Sequence, residues 1–134
     1  MKTLLKTLMV AGIAFGAVAA NAADIVVIVS AKSSAATMTA DDIANIYLGK
    51  STAMKPVDNA TPVRAQFYTA VAGKDEAQVK AIWSKLVFTG KATPPKELAS
   101  SADVVKAVAA DPGAIGYVEK AAVDGSVKVV FEVK

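Results

Sequence analysis

The residues Ile25 to Val29 constrain the fold more than any other part of this sequence. They form a continuous run of β-branched, apolar residues with no polar residue among them. A strand with one face in water alternates apolar and polar side chains, whereas an unbroken run is typical of a strand buried on both faces. We therefore expect a central strand of an α/β domain whose sheet is covered by helices.

Two helices are predicted after this strand. The first starts at Thr39, where a capping box with Asp42 is expected, and it ends at Gly49. Thr61 is the expected N-cap of the second, with Pro62 at the first helical position, where the missing N–H costs nothing. Both helices therefore begin with a side chain that can accept a hydrogen bond from the backbone.

A third helix has the most regular pattern in the chain. It is expected to start at Asp75, with Gln78 completing a capping box. Its apolar residues follow helical spacing: Val79, Ile82, Trp83, Leu86 and Val87. Trp83 is therefore interpreted as a core anchor and not as a surface on which a ligand stacks. A fourth helix is predicted to start at Ser100 or Ser101.

Three further segments are predicted as strands: residues 55–57, 114–118 and 127–133. Residues 58–60, Asp-Asn-Ala, are predicted to form a turn. Residues 89–98, which contain Gly90, Pro94 and Pro95, are predicted to be irregular. Because helices are interleaved with strands, the order favours a helix-covered α/β sheet over a β-sandwich.

The first 22 residues have the three parts of a secretory signal peptide. Lys2 and Lys6 precede an apolar run over residues 8–19, and the small residues Ala20 and Ala22 follow it. We expect cleavage after Ala22, a mature domain of residues 23–134 and a periplasmic location. Without the two lysines the net charge falls from +3 to +1, so nothing indicates binding to nucleic acid.

The sequence contains neither histidine nor cysteine. This excludes a Ser-His-Asp triad, a cysteine nucleophile and the usual zinc ligands. The adjacent acid pairs, Asp41-Asp42 and Asp75-Glu76, stand where helices are predicted to begin, and negative charge there complements the helix dipole. We therefore expect a protein without enzymatic activity, metal or cofactor.

Arg64 is the single arginine beside fourteen lysines, and it stands in the first turn of the second predicted helix. One hypothesis is an oxyanion site formed with the Thr61 hydroxyl and free backbone N–H groups. The alternative is an ion pair with Asp58 or another acid, or a solvated side chain. Two interpretations are also open for Ser30. It stands at the carboxyl end of the first strand, where α/β sheets bind ligands, and it can equally form a turn.

Four segments together resemble the PstS-like periplasmic phosphate-binding family: residues 42–50, 56–68, 83–95 and 112–118. The resemblance implies one lobe of a type 2 periplasmic-binding-protein fold with a mixed sheet, capture of phosphate or a related oxyanion, and delivery to a membrane ABC importer. It aligns the family's anion loop with residues 59–64. Asn59, Thr61 and Arg64 therefore join Ser30 as the candidate ligand-binding residues.

Two differences from the family leave two functions open. The mature chain has the length of about one lobe, whereas full members have two lobes that close on the ligand, and the Ser-Gly part of the anion loop is missing. A half-cleft leaves its ligand partly in water, which weakens charge-assisted contacts. Either two copies meet around the anion in an uptake protein, or the lobe is a ligand-free accessory or sensor partner of another envelope protein.

The signal-peptide hypothesis predicts a defined N-terminus. The protein recovered from the periplasm should begin at Ala23, which mass spectrometry of the intact protein measures. Ala22→Leu should block this cleavage, because signal peptidase sites require a small residue at that position. Wild-type protein that keeps Met1 and stays in the membrane fraction would contradict the hypothesis.

Overall fold

The computed structural model describes residues 24–133, and the expected signal peptide at residues 1–22 lies outside them. The helices are α1 (Ala40–Tyr47), α2 (Val63–Phe67), a π-helical turn (Tyr68–Ala72), α3 (Glu76–Phe88), α4 (Ser101–Ala110) and a 3-10 turn (Lys120–Ala122). The strands are β1 (Ile25–Ser30), β2 (Lys55–Asn59), β3 (Lys96–Leu98), β4 (Ala114–Glu119) and β5 (Val127–Val133).

Within the described residues, five strands form one mixed sheet in the order β3-β2-β4-β1-β5. Strand β2 runs parallel to β3 and β4, whereas β1 runs antiparallel to β4 and β5. The strands β2, β3 and β4 therefore point in one direction, and β1 points in the opposite direction. Their carboxyl ends lie at opposite ends of the strands in the sheet. The predicted α/β class with a mixed, helix-covered sheet is confirmed.

Helices cover both faces of the sheet. Ile25, Val27 and Val29 of β1 pack in one cluster with residues of α1, α2 and α3. Val26 and Ile28 point to the opposite face, where they pack in a second cluster with residues of α4. The six residues of β1 are all buried, which confirms the central strand inferred from their unbroken apolar run.

Two glycines stand where the backbone has no room for a side chain. A Cβ at Gly116 of β4 would lie 2.7 Å from Val104 and 2.9 Å from Val108, so Gly116 allows α4 to lie close against the sheet. Gly49 follows α1 with a φ of +77° and packs against Leu86 and Trp83 of α3. The predicted end of the first helix at Gly49 is thus confirmed, and the same glycine brings α1 and α3 together.

The prediction of irregular structure over residues 89–98 was wrong at its end, where β3 pairs parallel with β2. The predicted turn at residues 58–60 was also wrong, because Asp58 and Asn59 belong to β2 and pair with Glu97 and Leu98. Polar residues remain in this buried strand because their side chains find partners within the fold. The Asn59 amide donates to the Tyr117 carbonyl at 3.0 Å.

The predicted N-cap of α2 was wrong as well. The helix begins at Val63 after Pro62, and no side-chain cap from the described residues is present. The Asn59 side chain accepts a hydrogen bond from the Thr61 N–H at 3.2 Å and so shapes this turn instead. The buried Thr61 hydroxyl has no hydrogen-bond partner among residues 24–133.

Helix α3 starts with the predicted capping box of Asp75 and Gln78. Trp83 is 9% exposed and its indole N–H donates to the Tyr47 carbonyl at 2.7 Å, so the predicted core anchor is confirmed. Val87 was wrongly assigned to the buried stripe, since 46% of it is exposed. Among the described residues, no helix has the length and apolar character needed to cross a membrane.

Trp83→Ala should destabilise the protein by about 3–5 kcal/mol, because it removes a large buried side chain and leaves a cavity between α1 and α3. Chemical unfolding measures the change. Val87→Ala on the same helix is the control and should cost less than about 1 kcal/mol. Native Trp fluorescence should resist acrylamide quenching, and free quenching would show that the indole is not packed in the core.

Candidate functional site

A groove of about 760 Å³ runs along α3, and its other side is formed by Asp58 near the carboxyl end of β2 and by residues 94–97 in and before β3. Its charged lining residues are Asp58, Arg64, Glu76, Lys80 and Glu97. Its larger apolar and aromatic lining residues are Tyr68, Val79, Trp83, Val87, Phe88, Pro94 and Pro95. Polar groups therefore gather at the end of the groove where β2 stops, and apolar groups extend from there along the helix.

The Asp58 carboxyl is the buried centre of the polar end, with only 7% of the residue exposed. Its Oδ1 accepts hydrogen bonds from the Tyr117 hydroxyl and, at 2.9 Å, from the Asn59 N–H. Its Oδ2 accepts from the Tyr68 hydroxyl at 2.8 Å and lies 3.5 Å from Nη1 of Arg64. Donors thus surround both carboxyl oxygens, as a buried acid requires.

Three tyrosines near Asp58 are held neutral. Burial first, and then the charge of Asp58, raise the pKa values of Tyr47, Tyr68 and Tyr117 well above the ordinary value. The ring of Phe67 stacks on Tyr117 at a centroid distance of 3.8 Å. The hydroxyls of Tyr68 and Tyr117 therefore remain hydrogen-bond donors to Asp58 across the physiological pH range, while the Tyr47 hydroxyl donates to the carbonyls of Val57 and Ile115.

Arg64 reaches from α2 into the polar end of the groove. Its Nε donates to Glu76 at 2.6 Å, and its Nη1 lies 3.3 Å from Glu97 as well as 3.5 Å from Asp58. Partial burial lowers the pKa of Arg64, but the hydrogen bond to Glu76 and the nearby carboxylates outweigh it and raise the pKa above its ordinary value. The ion pair with Asp58, one of the two alternatives drawn from the sequence, is present.

The guanidinium is still accessible from the groove. Its side chain is 24% exposed, and the Nη2 end makes none of these contacts. Together the lining carboxylates Asp58, Glu76 and Glu97 outnumber the lining cations Arg64 and Lys80 by one. Among the described residues, no group of three acidic, histidine or cysteine side chains is arranged to hold a metal ion.

Asn59 and Thr61 lie at the same end of the groove as Arg64. The Asn59 amide is fully engaged in the fold, since Nδ2 donates to Ser101 and to the Tyr117 carbonyl while Oδ1 accepts from Thr61. The Thr61 hydroxyl, in contrast, has no partner within residues 24–133. This hydroxyl is buried, and neither Asn59 nor Thr61 is among the residues that line the groove.

Ser30 does not join the other three candidate residues. Ser30 is the last residue of β1, which runs antiparallel to β4, whereas Asn59 is the last residue of β2, which runs parallel to β4. The two residues therefore lie at opposite ends of the strands. The Ser30 hydroxyl donates to the Ala109 carbonyl at 3.2 Å and accepts from the Lys32 N–H at 3.1 Å. The alternative of a turn-forming serine fits these contacts.

Sequence reasoning missed most of the groove. Asp58 was interpreted as part of a turn and as a possible ion-pair partner of Arg64, and Tyr68, Tyr117 and Glu97 were not assigned to a site. Phe88, which is 91% exposed at the far end of the groove, was not singled out either. One signal was available, because an aromatic residue outside the apolar stripe of a helix has no place in the core.

The tyrosine environment predicts an unusual alkaline titration. The sequence has three tyrosines, all contained in this cluster, so phenolate absorbance should not appear near pH 10 as it does for a free tyrosine. Raised folded-state pKa values stabilise the fold below the ordinary tyrosine pKa, and this contribution is lost as the pH rises above it. Phenolate should therefore appear together with unfolding, and separate ionisation in the folded state would contradict the buried network.

Comparisons with known protein families and with curated proteins give no match. Comparison with solved structures gives an ABC-type phosphate transport receptor from Vibrio cholerae, 15% identical with a TM-score of 0.63. A Clostridium perfringens protein described as a phosphate ABC transporter substrate-binding protein, with bound phosphate, is 21% identical with a TM-score of 0.65. PstS from Borrelia burgdorferi is 11% identical with a TM-score of 0.60.

Each match covers 81% of this chain but only 44–47% of the other chain. The chain therefore spans about half the length of the proteins that it resembles. In this chain the described residues form a mixed sheet with helices on both faces. The described residues have the fold of one lobe of a type 2 periplasmic binding protein.

Proposed function

We propose that this chain is a non-enzymatic solute-binding protein of the periplasm, which captures phosphate or a related oxyanion and passes it to a membrane ABC importer. The fold supports this proposal, since two of the similar structures are named for phosphate transport. The position of the polar end of the groove supports it too, because Asp58 lies one residue before the carboxyl end of β2, and open α/β sheets bind ligands at the carboxyl ends of their strands.

The observation that carries the proposal is the accessible guanidinium of Arg64 in this groove. A planar guanidinium recognises tetrahedral oxyanions through two parallel hydrogen bonds. The Nη2 end of Arg64 is free of the contacts with Glu76, Glu97 and Asp58, and the Thr61 hydroxyl three residues earlier is unpartnered among the described residues. We infer that Arg64 contacts the anion, that Thr61, whose hydroxyl is buried, joins it after a rotation of its side chain, and that Asn59 shapes the turn that leads into α2.

The surrounding carboxylates define which oxyanion fits. A fully ionised anion next to Asp58 or Glu97 is repelled, and it has no proton to donate to them. Hydrogen phosphate accepts hydrogen bonds from Arg64 and can donate its own O–H to a carboxylate, so one ligand satisfies both kinds of group. We therefore propose that the groove prefers phosphate to sulfate.

A second function is favoured by one observation, the 91% exposure of Phe88 next to the groove. An exposed aromatic residue beside other apolar groups is typical of a protein interaction surface. The chain would then be a ligand-free accessory or sensor protein that binds another envelope protein through this lobe. Phosphate titration distinguishes the two functions.

Arg64→Ala should weaken phosphate binding by about 2 kcal/mol or more, which is roughly thirtyfold, and Arg64→Lys should also weaken it because a point charge cannot form the two-point contact. Isothermal titration of the exported protein with phosphate and with sulfate measures both effects. Thermal unfolding should change little, because the side chains of Glu76 and Glu97 are 45% and 61% exposed and such ion pairs contribute about 1 kcal/mol or less. The buried Asp58 keeps hydrogen bonds from the Asn59 N–H and the hydroxyls of Tyr68 and Tyr117 when Arg64 is removed.

Lys55→Ala is the matched control. It also removes a cation from an ion pair, that with Asp111, but at the opposite end of β2. Phosphate binding should be unchanged in this variant. If the wild-type protein binds neither anion while Arg64→Ala lowers its stability, Arg64 has a structural role and the accessory function becomes the better proposal.

A further inference from the structure

We propose that the groove along α3 binds a phosphate monoester with an apolar organic group, and that Lys80 contacts the phosphate together with Arg64. This inference rests on the function proposed above and narrows its class of ligand. Inorganic phosphate fills only the polar end of the groove, whereas an apolar ester also fills the part that extends along the helix.

The groove is much larger than an inorganic anion. Its volume is about 760 Å³. A water molecule takes up about 30 Å³ in the liquid, so a phosphate ion whose four oxygens each needed that much room would occupy roughly 120 Å³, less than a fifth of the groove. Pockets of about 300–1,000 Å³ are typical of sites for organic molecules. The size of the groove therefore favours a ligand with an organic part.

Two cations line the groove close to each other. The Nη2 end of Arg64 makes none of the contacts with the carboxylates, and Lys80 is exposed and takes part in no ion pair among residues 24–133. Lys80 follows Glu76, the ion-pair partner of Arg64, by four residues, so it lies about 6 Å further along the axis of α3. Both cations can therefore contact one phosphate group, which offers three acceptor oxygens.

The carboxylates at this end set the protonation state that the ester needs. Asp58, Glu76 and Glu97 each have an oxygen within 3.5 Å of the Arg64 guanidinium. A monoester that keeps one proton can donate it to a carboxylate, as hydrogen phosphate can. The second pKa of a phosphate monoester is about 6, so this singly charged form predominates in mildly acidic solution.

The part of the groove beyond Lys80 is suited to an apolar group. Trp83 lies in the floor with 9% of its surface exposed, and Pro94 and Pro95 line the groove on the other side. From Lys80 to Val87 the helix axis advances by about 10 Å, which leaves room for one aromatic ring. A ring next to the indole gains the favourable contact of an aromatic pair in addition to its removal from water.

Isothermal titration at about pH 5 with inorganic phosphate, methyl phosphate and phenyl phosphate tests the inference. At this pH most of each monoester carries one proton, so the two esters differ mainly in the organic group. Phenyl phosphate should bind at least about tenfold more tightly than methyl phosphate, because its ring leaves water for the apolar part of the groove. It should also change the fluorescence of Trp83, the single tryptophan of the chain, whereas methyl phosphate should not.

Two variants locate the ester in the groove. Lys80→Gln should weaken the binding of both esters at least about fivefold, because it removes a cation from the phosphate. Val87→Asn should lower the preference for phenyl phosphate over methyl phosphate at least about threefold, because the ring loses an apolar neighbour. The matched control is Val129→Asn on β5, since 41% of Val129 and 46% of Val87 are exposed, and it should change neither affinity.

Equal affinities for phenyl and methyl phosphate overturn this inference. They leave the proposed function intact if inorganic phosphate binds and Arg64→Ala weakens that binding. Binding of phenyl phosphate that neither Lys80→Gln nor Val87→Asn changes also overturns the inference, because the ester then lies elsewhere. If none of the three ligands binds, both the inference and the proposed capture of phosphate are wrong.

Discussion

The structure around the polar end of the groove depends on the hydrogen bonds that the hydroxyls of Tyr68 and Tyr117 donate to the buried Asp58 carboxyl. Asp58 belongs to β2, Tyr117 to the neighbouring strand β4, and Tyr68 to the π-helical turn that continues α2. One carboxyl group therefore joins two strands to the helical layer above them. Because an unpaired buried carboxyl is costly, these donors are what allow β2 to end in polar residues without fraying.

The same carboxyl determines where the arginine can lie. Asp58 draws Arg64 toward β2, and from there the guanidinium also reaches Glu76 at the start of α3 and Glu97 on β3. Three separate elements thus hold one side chain, whose conformation is set before any ligand arrives. Such preorganisation favours binding, because less side-chain entropy remains to be lost. Arg64 can form ion pairs and also contact a ligand, provided that the ligand can donate a hydrogen bond to the nearby carboxylates.

The helices and the longer strands could be predicted because their signals are local. The capping box of Asp75 and the buried run of β1 each depend on residues that are close together in the sequence, and both are present in the structure. Strand β3 has three residues and no alternating pattern, so only its pairing with β2 makes it a strand. The carboxylate cluster joins residues 58, 64, 76 and 97 through tertiary contacts, which spacing along the chain does not reveal. The Thr61 cap failed for a related reason, since the Asn59 side chain shaped the turn.

The floor and the rim of the groove differ in what the fold requires of them. Trp83 in the floor is packed against Gly49 and donates its indole N–H to Tyr47, so it would be needed even in a lobe without any ligand. Phe88 in the rim has 91% of its surface exposed, and its place at the last position of α3 adds nothing to the core. Water around such a side chain is unfavourable, and covering it releases that cost. The fold therefore accounts for the floor of the groove, whereas the exposed aromatic ring at its rim has no role in the packing of the described residues.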